Sequence, residues 1–423
     1  MKGNATMKIK KYSAYKDSGI EWIGDIPEHW GKGRISAIFE ERNVKVSDKE
    51  YAPLSVTKLG VVPQLDTAAK SKDSDNRKLV CKGDFVINSR SDRKGSSGVS
   101  QLEGSVSLIN TVLEPKKIKH MYAGHLLKSY GFIEEFYRNG RGIVADLWST
   151  NYNRMRLIQL PLPPLSEQKK IASFLEKKTA EIDKAIELKQ KENGLLKEHR
   201  QITINQAVTR GLNPDVPLKD SGIEWIGDIP EHWEVRKNKF IFKERNLIVG
   251  NKSQDYTLLS LTLEGIKKRN LNVLQGKFPA SFNTYKEVHS GDLVFCLFDM
   301  DETPRTIGLS KIKGMITGAY TIIIPRSNVT SHYYYYYYLN IDYEKKLKPL
   351  YRGLRKSVSI GAFMDYKLPL PPLSEQKKIA AYLEEVDKET NRLIELNHRA
   401  IDKLKEYKQV LIDQAVRGEI CLV

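Results

Sequence analysis

The sequence predicts an α+β chain: two similar mixed α/β domains, related by pseudo-twofold symmetry and held apart by two long antiparallel coiled-coil helices. Three observations lead there. The block KDSGIEWIGDIPEHW fills residues 16–30 and recurs letter for letter at residues 219–233. A second block, LPLPPLSEQKKIA, fills residues 160–172 and recurs unchanged at residues 368–380. Each copy of the second block opens a long stretch whose apolar residues return at helical spacing.

The two repeats have nearly the same offset, 203 and 208 positions, so the chain is a tandem duplication of two long units. Weaker echoes agree: Lys82-Gly83-Asp84-Phe85-Val86 answers Ser290-Gly291-Asp292-Leu293-Val294, and Gln206-Ala207-Val208 answers Gln414-Ala415-Val416. Each unit is large enough to bury its own core, which separates this pattern from a solenoid. Within a unit, the segments 8–160 and 218–367 read as globular. They carry short β-rich runs such as Phe85-Val86-Ile87 and Tyr320-Thr321-Ile322-Ile323-Ile324, broken by Gly, Asp and Asn. The segments 161–217 and 368–423 read as helical spacers.

The spacers follow from their texture. Ser374-Glu375-Gln376 has the Ser and polar first turn of a helix start, and neither Pro nor Gly follows until Gly418. Ile379, Leu383, Val386, Thr390, Leu393, Asn397, Ala400, Leu404, Tyr407 and Leu411 trace an a/d seam. The first spacer, from about Ser166 to Thr209, keeps Ile171, Leu175, Ile182, Leu196 and Thr203 in register but places Lys178, Lys189 and Glu192 on the seam and Gly194 within it. Roughly 43 residues make a rod of about 65 Å, whose apolar stripe requires a partner helix. The first block reads as an apolar clip between domain and rod, with Trp22, Trp30, Trp225 and Trp233 as its indoles and Pro27 and Pro230 fixing its bends.

Lys and Arg outnumber Asp and Glu by 69 to 52, a net charge of +17 that points to a polyanionic partner, either nucleic acid or an anionic membrane surface. No apolar run approaches the length of a membrane span and residues 1–13 lack a secretory signal, so a soluble cytoplasmic protein is expected, with no membrane partner. Cys81, Cys296 and Cys421 are odd in number and far apart, offering neither a disulfide framework nor a CxxC metal site, and the eight histidines show no metal-ligand spacing.

With both blocks and the helix-ending Gln-Ala-Val-Thr-Arg-Gly and Gln-Ala-Val-Arg-Gly in view, the chain resembles, over essentially its whole length, the specificity subunit of type I restriction-modification enzymes. The resemblance implies that 8–160 and 218–367 are target recognition domains, that 161–217 and 368–423 are helical spacers, and that the chain is not itself an enzyme. It implies double-stranded DNA as ligand, two modification (methyltransferase) subunits binding S-adenosylmethionine, and restriction (nuclease and translocase) subunits using ATP and Mg. No cofactor is expected on this chain. Two different reading heads at fixed separation would meet a bipartite, asymmetric site about one helical turn, roughly 34 Å, apart.

Candidate DNA contacts are polar, basic loops that differ between the units, each of which could equally be a solvated loop. In the first they are Ser89, Arg90, Arg93 and Lys94, then Arg141, then Asn153 and Arg154. In the second they are Lys267, Lys268 and Arg269 (with Asn270), then Arg305, then Arg352, Arg355 and Lys356. The repeated helix starts, Ser166, Glu167, Gln168 and Lys169 with Ser374, Glu375, Gln376 and Lys377, are the candidate partner-binding residues. Residues 333–338, six consecutive tyrosines, read either as a base-stacking platform or as a helix or strand packing its rings inside. Two other classes compete with DNA recognition. Asp84, Asp92 and Lys94 imitate an Asp…Asp-x-Lys metal nuclease, although the second unit keeps Asp292 without the lysine. A pure scaffold, with basic heads that select nothing, is the other.

Overall fold

A computed structural model describes residues 10–66, 75–142, 148–224, 226–269 and 281–422. Trp225 and Asn270 fall outside them. The chain forms two compact units. Unit 1 joins Met1–Lys189 to His398–Val423, and unit 2 is Gln190–Asn397. Each unit therefore contains one globular segment, half of one long helix and half of the other.

The globular segments share a topology. In unit 1 four antiparallel strands lie in the order Ser97–Val99, Phe85–Asn88, Asn110–Pro115, Phe39–Glu41. The strands Ile307–Leu309, Leu293–Phe295, Thr321–Pro325 and Phe242–Glu244 repeat that order in unit 2. The central strands are apolar on both faces because one packs on the main core and the other on a small β core around Val86 or Val294. Both sheets are pinned by the same ion pair. Arg42 donates to Asp84 at 2.7 and 3.2 Å, and Arg245 donates to Asp292 at 2.8 and 3.3 Å. Asp84 and Asp292 are buried.

Leu-Pro-Leu of the second block is a strand. Gln159–Leu162 pairs antiparallel with Gly31–Arg34, and Lys367–Leu370 pairs with Glu234–Lys237. This pairing lays each copy of the second block beside the end of a copy of the first, and the prolines that follow lead into the long helices Leu165–Arg210 and Leu373–Val416.

The helices run antiparallel within each unit. In unit 1 Lys408 bonds Asp183 at 2.7 Å, while Ile171, Leu175 and Ile182 share a core with Leu411, Ala415 and Val416. In unit 2 Arg200 lies 3.7 Å from Asp387, and Ile204, Ala207 and Val208 share a core with Ile379, Ala380 and Leu383. The heptad reading needs two corrections. Tyr407 is exposed while Ile401 is buried, and Glu192 is exposed while Asn193 is buried. A straight helix drifts against a strict seven-residue repeat, so a seam read at fixed spacing slips by one position over several turns. Where it slips, Asn193 and Asn397 are both buried and bond each other at 2.9 Å, a polar layer that disfavours alternative helix registers.

The tyrosine run lies in the helix Ser331–Tyr343, with Tyr333, Tyr334, Tyr336, Tyr337 and Tyr338 buried. Its rings pack edge to face at 4.9 to 6.1 Å. Of the two readings, ring packing inside the domain is the one that these positions bear out.

Candidate nucleic-acid interface

The repeated blocks bond to each other. In unit 1 Trp30 is buried, its Nε1–H donates to Glu167 Oε2 at 3.0 Å, and His29 Nε2 lies 2.6 Å from Glu167 Oε1. In unit 2 Trp233 donates to Glu375 Oε2 at 2.9 Å and His232 lies 2.6 Å from Glu375 Oε1. Burial works against the Glu167 carboxylate, but bonds from Trp30, His29 and Tyr12 outweigh it and hold its pKa below the ordinary carboxylate value. Gly418, at φ +78°, ends the second long helix against the same indole: a Cβ there would lie 2.4 Å from Pro27 Cδ and 3.0 Å from Trp30 Cη2. Two buried tyrosines close the helix ends, Tyr122 donating to the Val416 carbonyl at 3.2 Å and Tyr333 to the Val208 carbonyl at 2.9 Å.

The clip is thus a joint between domain and helix. It also corrects part of the partner-binding expectation. Gln168 and Gln376 are buried with their amides satisfied inside the chain, Gln168 by Lys119 N–H and the Pro163 carbonyl, Gln376 by Thr330 N–H and the Pro371 carbonyl. Glu167 is buried and Glu375 half-buried in the bonds above. Only Ser166, Lys169, Ser374 and Lys377 of that set are exposed. Trp22 belongs to the joint differently, lying edge-on to Phe132 at 6.2 Å.

The candidate DNA-contact loops of unit 1 converge. Arg90 and Arg141 both form β-bridges to Ser149, and Tyr137 donates to the Arg90 carbonyl at 3.0 Å. Burial pushes the Tyr137 pKa up to about 12. Arg90 and Arg141 are exposed, as is Arg93 beside Asp92 at 3.5 Å. Asn153 is exposed and Arg154 half-buried on the short helix Tyr152–Met155, capped by Asn151. Ser89 is buried beneath this surface, a correction to its reading as a contact: its N–H donates to the Ile109 carbonyl and its own carbonyl accepts from Thr150. Lys94 pairs with Glu134 at 2.6 Å. With Asp84 locked to Arg42 and Lys94 turned to Glu134, the nuclease-like triplet does not come together. Among the described residues no group of three His, Cys, Asp or Glu could hold a metal ion.

In unit 2 the residues split into two places. Arg352, Arg355 and Lys356 are exposed on a tight hairpin closed by the Arg352–Ser357 bridge, with Lys356 at φ 44°. Arg355 forks onto both oxygens of Asp299 and lies 5.1 Å from the Phe298 ring centre. The bond from Arg355 lowers the Asp299 pKa. Lys267 lines a different cleft, of about 530 Å³, with Tyr335, Glu384 and Asp387, and Arg305 donates to the Tyr335 hydroxyl at 3.0 Å. Lys268 ends the strand Gly265–Lys268 that carries Lys267, and Arg269 follows it, Lys268 exposed and Arg269 half-buried.

Unit 1 has the counterpart of that cleft, about 620 Å³, which sequence reading missed. It is lined by Lys58, Lys128, Lys405 and Lys408 against Glu176 and Asp183. Burial, then the nearby Lys128 and Lys408, push the His125 pKa there down to about 4. These lysines are scattered through the sequence, and only the packing of the turn at Lys58 and the short helix His120–Leu127 against both long helices gathers them.

Comparison with known proteins gives one consistent picture. The family model described as type I restriction modification DNA specificity domain matches residues 27–197 and 312–405. The MjaX type I restriction enzyme specificity subunit of Methanocaldococcus jannaschii is 25% identical over 94% of this chain and 95% of its own length. The MjaVIII specificity subunit of the same organism is 26% identical over 62% of each chain. In fold, a chain from a solved type I R-M system is similar at a TM-score of 0.67 and 15% identity, covering 93% of this chain and 99% of that one. The HsdS subunit from Thermoanaerobacter tengcongensis is similar at a TM-score of 0.54 and 18% identity, covering 93% of this chain and 98% of that one.

Proposed function

Since this chain belongs to the family of type I restriction-modification specificity subunits, the non-catalytic recognition components of those enzymes, we propose that it reads a bipartite, asymmetric duplex site, one recognition domain per half-site. The observation that carries this reading is the contrast between joint and loops. The two units share a sheet order, a buried Arg–Asp pair and a Trp–Glu joint, yet their exposed basic loops differ in sequence and in pairing. A selective surface must vary where it meets different bases, while its support need not.

On this reading the recognition domains are 8–160 and 218–367. In unit 1, Arg90, Arg93, Arg141, Asn153 and Arg154 meet one half-site. In unit 2, Arg352, Arg355 and Lys356 meet the other, with Lys267, Lys268, Arg269 and Arg305 supplying backbone contacts. Arg355 would exchange Asp299 for a guanine edge, and such an exchange favours the base that repays the lost pair. Exposed Ser166, Lys169, Ser374 and Lys377 would face the modification subunits, which carry S-adenosylmethionine. Restriction subunits would join with ATP and Mg, in the cytoplasm. Among the described residues no helix is long and apolar enough to cross a membrane.

The test exchanges residues 218–367 for another recognition domain and maps methylated positions after assembly with the modification subunits. One half-site should change and the other persist; a change in both would overturn independent reading. Binding with a steep salt slope and no preferred duplex would instead favour a scaffold.

A further inference from the structure

The joint differs between the units at Tyr12. In unit 1 the ring of Tyr12 leans on it, its centre 5.9 Å from that of Trp30 and 5.6 Å from that of His29. The Tyr12 hydroxyl donates to Glu167 Oε2 at 3.0 Å. Burial, then the bond to Glu167, raises the Tyr12 pKa, so the phenol stays protonated as a donor.

In unit 2 Trp233, His232 and Glu375 make the same bonds to one another, but the offset that maps Trp30 onto Trp233 puts Asp215 where Tyr12 stands. Among the described residues no ring takes the place of Tyr12; the ring neighbours of Trp233 are His232 and Tyr333. A cleft of about 320 Å³ opens there instead, lined by Arg210, Leu212, Val216, Pro230, His232 and Glu375. Its floor is the joint itself, since a Cβ on Gly211 would lie 3.4 Å from Trp233 Cζ2 and 4.0 Å from Glu375 Oε2. The Glu375 side chain is 34% exposed where Glu167 is 10% exposed.

We propose that this cleft is a docking site for a tyrosine side chain on an extended segment of a partner protein, seated as Tyr12 is seated in unit 1. Leu212, Val216 and Pro230 offer the ring an apolar wall. Glu375 Oε2 accepts one bond where its counterpart accepts two, which leaves it the phenol's acceptor. Arg210 and Lys378 at the rim favour an acidic residue beside the tyrosine. This inference stands apart from DNA recognition and survives its failure.

The experiment follows the Trp233 indole N–H resonance of the full chain while the capped peptide Asp-Tyr-Ser-Ala is added. A saturable shift is expected, with the Phe analogue binding about tenfold more weakly for want of the phenol donor. Asp215→Tyr, which supplies the ring from within, should abolish binding, and Leu212→Arg, in the apolar wall itself, should do so even if Asp215→Tyr misfolds. Absence of any shift at millimolar peptide, equal binding of the Phe analogue, or undiminished binding in Leu212→Arg would overturn the proposal. So would free phenol binding as tightly as the peptide, which would make the cleft a small-molecule pocket.

Discussion

Glu167 and Glu375 lie in identical first turns of the two long helices, after identical prolines, and meet identical His-Trp pairs, yet one accepts three side-chain bonds and is buried while the other accepts two and stands half in water. The same residues thus produce the same core bonds in both units. What differs is the layer outside, where Tyr12 covers one copy and a cleft borders the other. The loops differ in the same manner: Arg90 and Arg141 reach solvent from a braced surface, whereas Arg355 is held by Asp299. Duplication has kept the interior bonds of the joint and let the outer contacts drift.

Substitutions can test how far that equivalence goes. The largest effect is expected at the indoles. Trp30→Ala and Trp233→Ala should each cost about 3–5 kcal/mol, confined to the unit that carries the change. Hydrogen exchange resolved by unit is the measurement, because a chain of two units has no single unfolding free energy. Equal loss of protection in both units after one substitution would break the comparison.

Glu167→Gln should cost about 2–3 kcal/mol and Glu375→Gln about 1 kcal/mol, because the more buried carboxylate leaves more donors unmatched. The bonds to Glu167 should also show in acid. The Glu167 pKa is lowered in the folded unit, so its contribution is complete above the unfolded value near 4.5 and is lost as pH falls through the folded one. An acid titration followed by hydrogen exchange should show unit 1 losing this increment, and Glu167→Gln should flatten the profile there.

The smallest net change is expected in the polar layer of unit 2. Asn397→Leu alone should cost about 1–3 kcal/mol by stranding the Asn193 amide. Asn193→Leu together with Asn397→Leu should be close to neutral in stability while loosening helix register, which cysteine cross-linking across the pair would detect.

Much of this architecture is legible in the sequence, for physical reasons. Exact repeats reveal duplication, Gly and Pro punctuate strands, and uninterrupted apolar periodicity marks long helices, so both helix spans and the shared fold could be read. The site was less legible. Identity of Gln168 and Gln376 between the units suggested a shared outer surface, but a shared interior leaves the same signature. Ser89 follows a strand and sits among polar residues, yet it is buried with its backbone bonded to Ile109 and Thr150. The Arg355–Asp299 pair joins positions 56 residues apart, and no local pattern announces it. Lys58, Lys128 and Lys408 come together only when the turn at Lys58 and the end of the short helix His120–Leu127 fold against the long helices.

The tyrosine hydroxyls on the Val208 and Val416 carbonyls carry one more consequence. A free helix frays from its tips, where carbonyls lack donors, but here each C-terminal tip is sealed within a folded body. Wear must therefore start mid-span. Gly194, exposed and with nothing within 4 Å of its missing side chain, sits in the interior of the first long helix at a cost of about 1 kcal/mol relative to alanine. Under heat, the first long helix should yield first around Gly194 and last at its C-terminal tip.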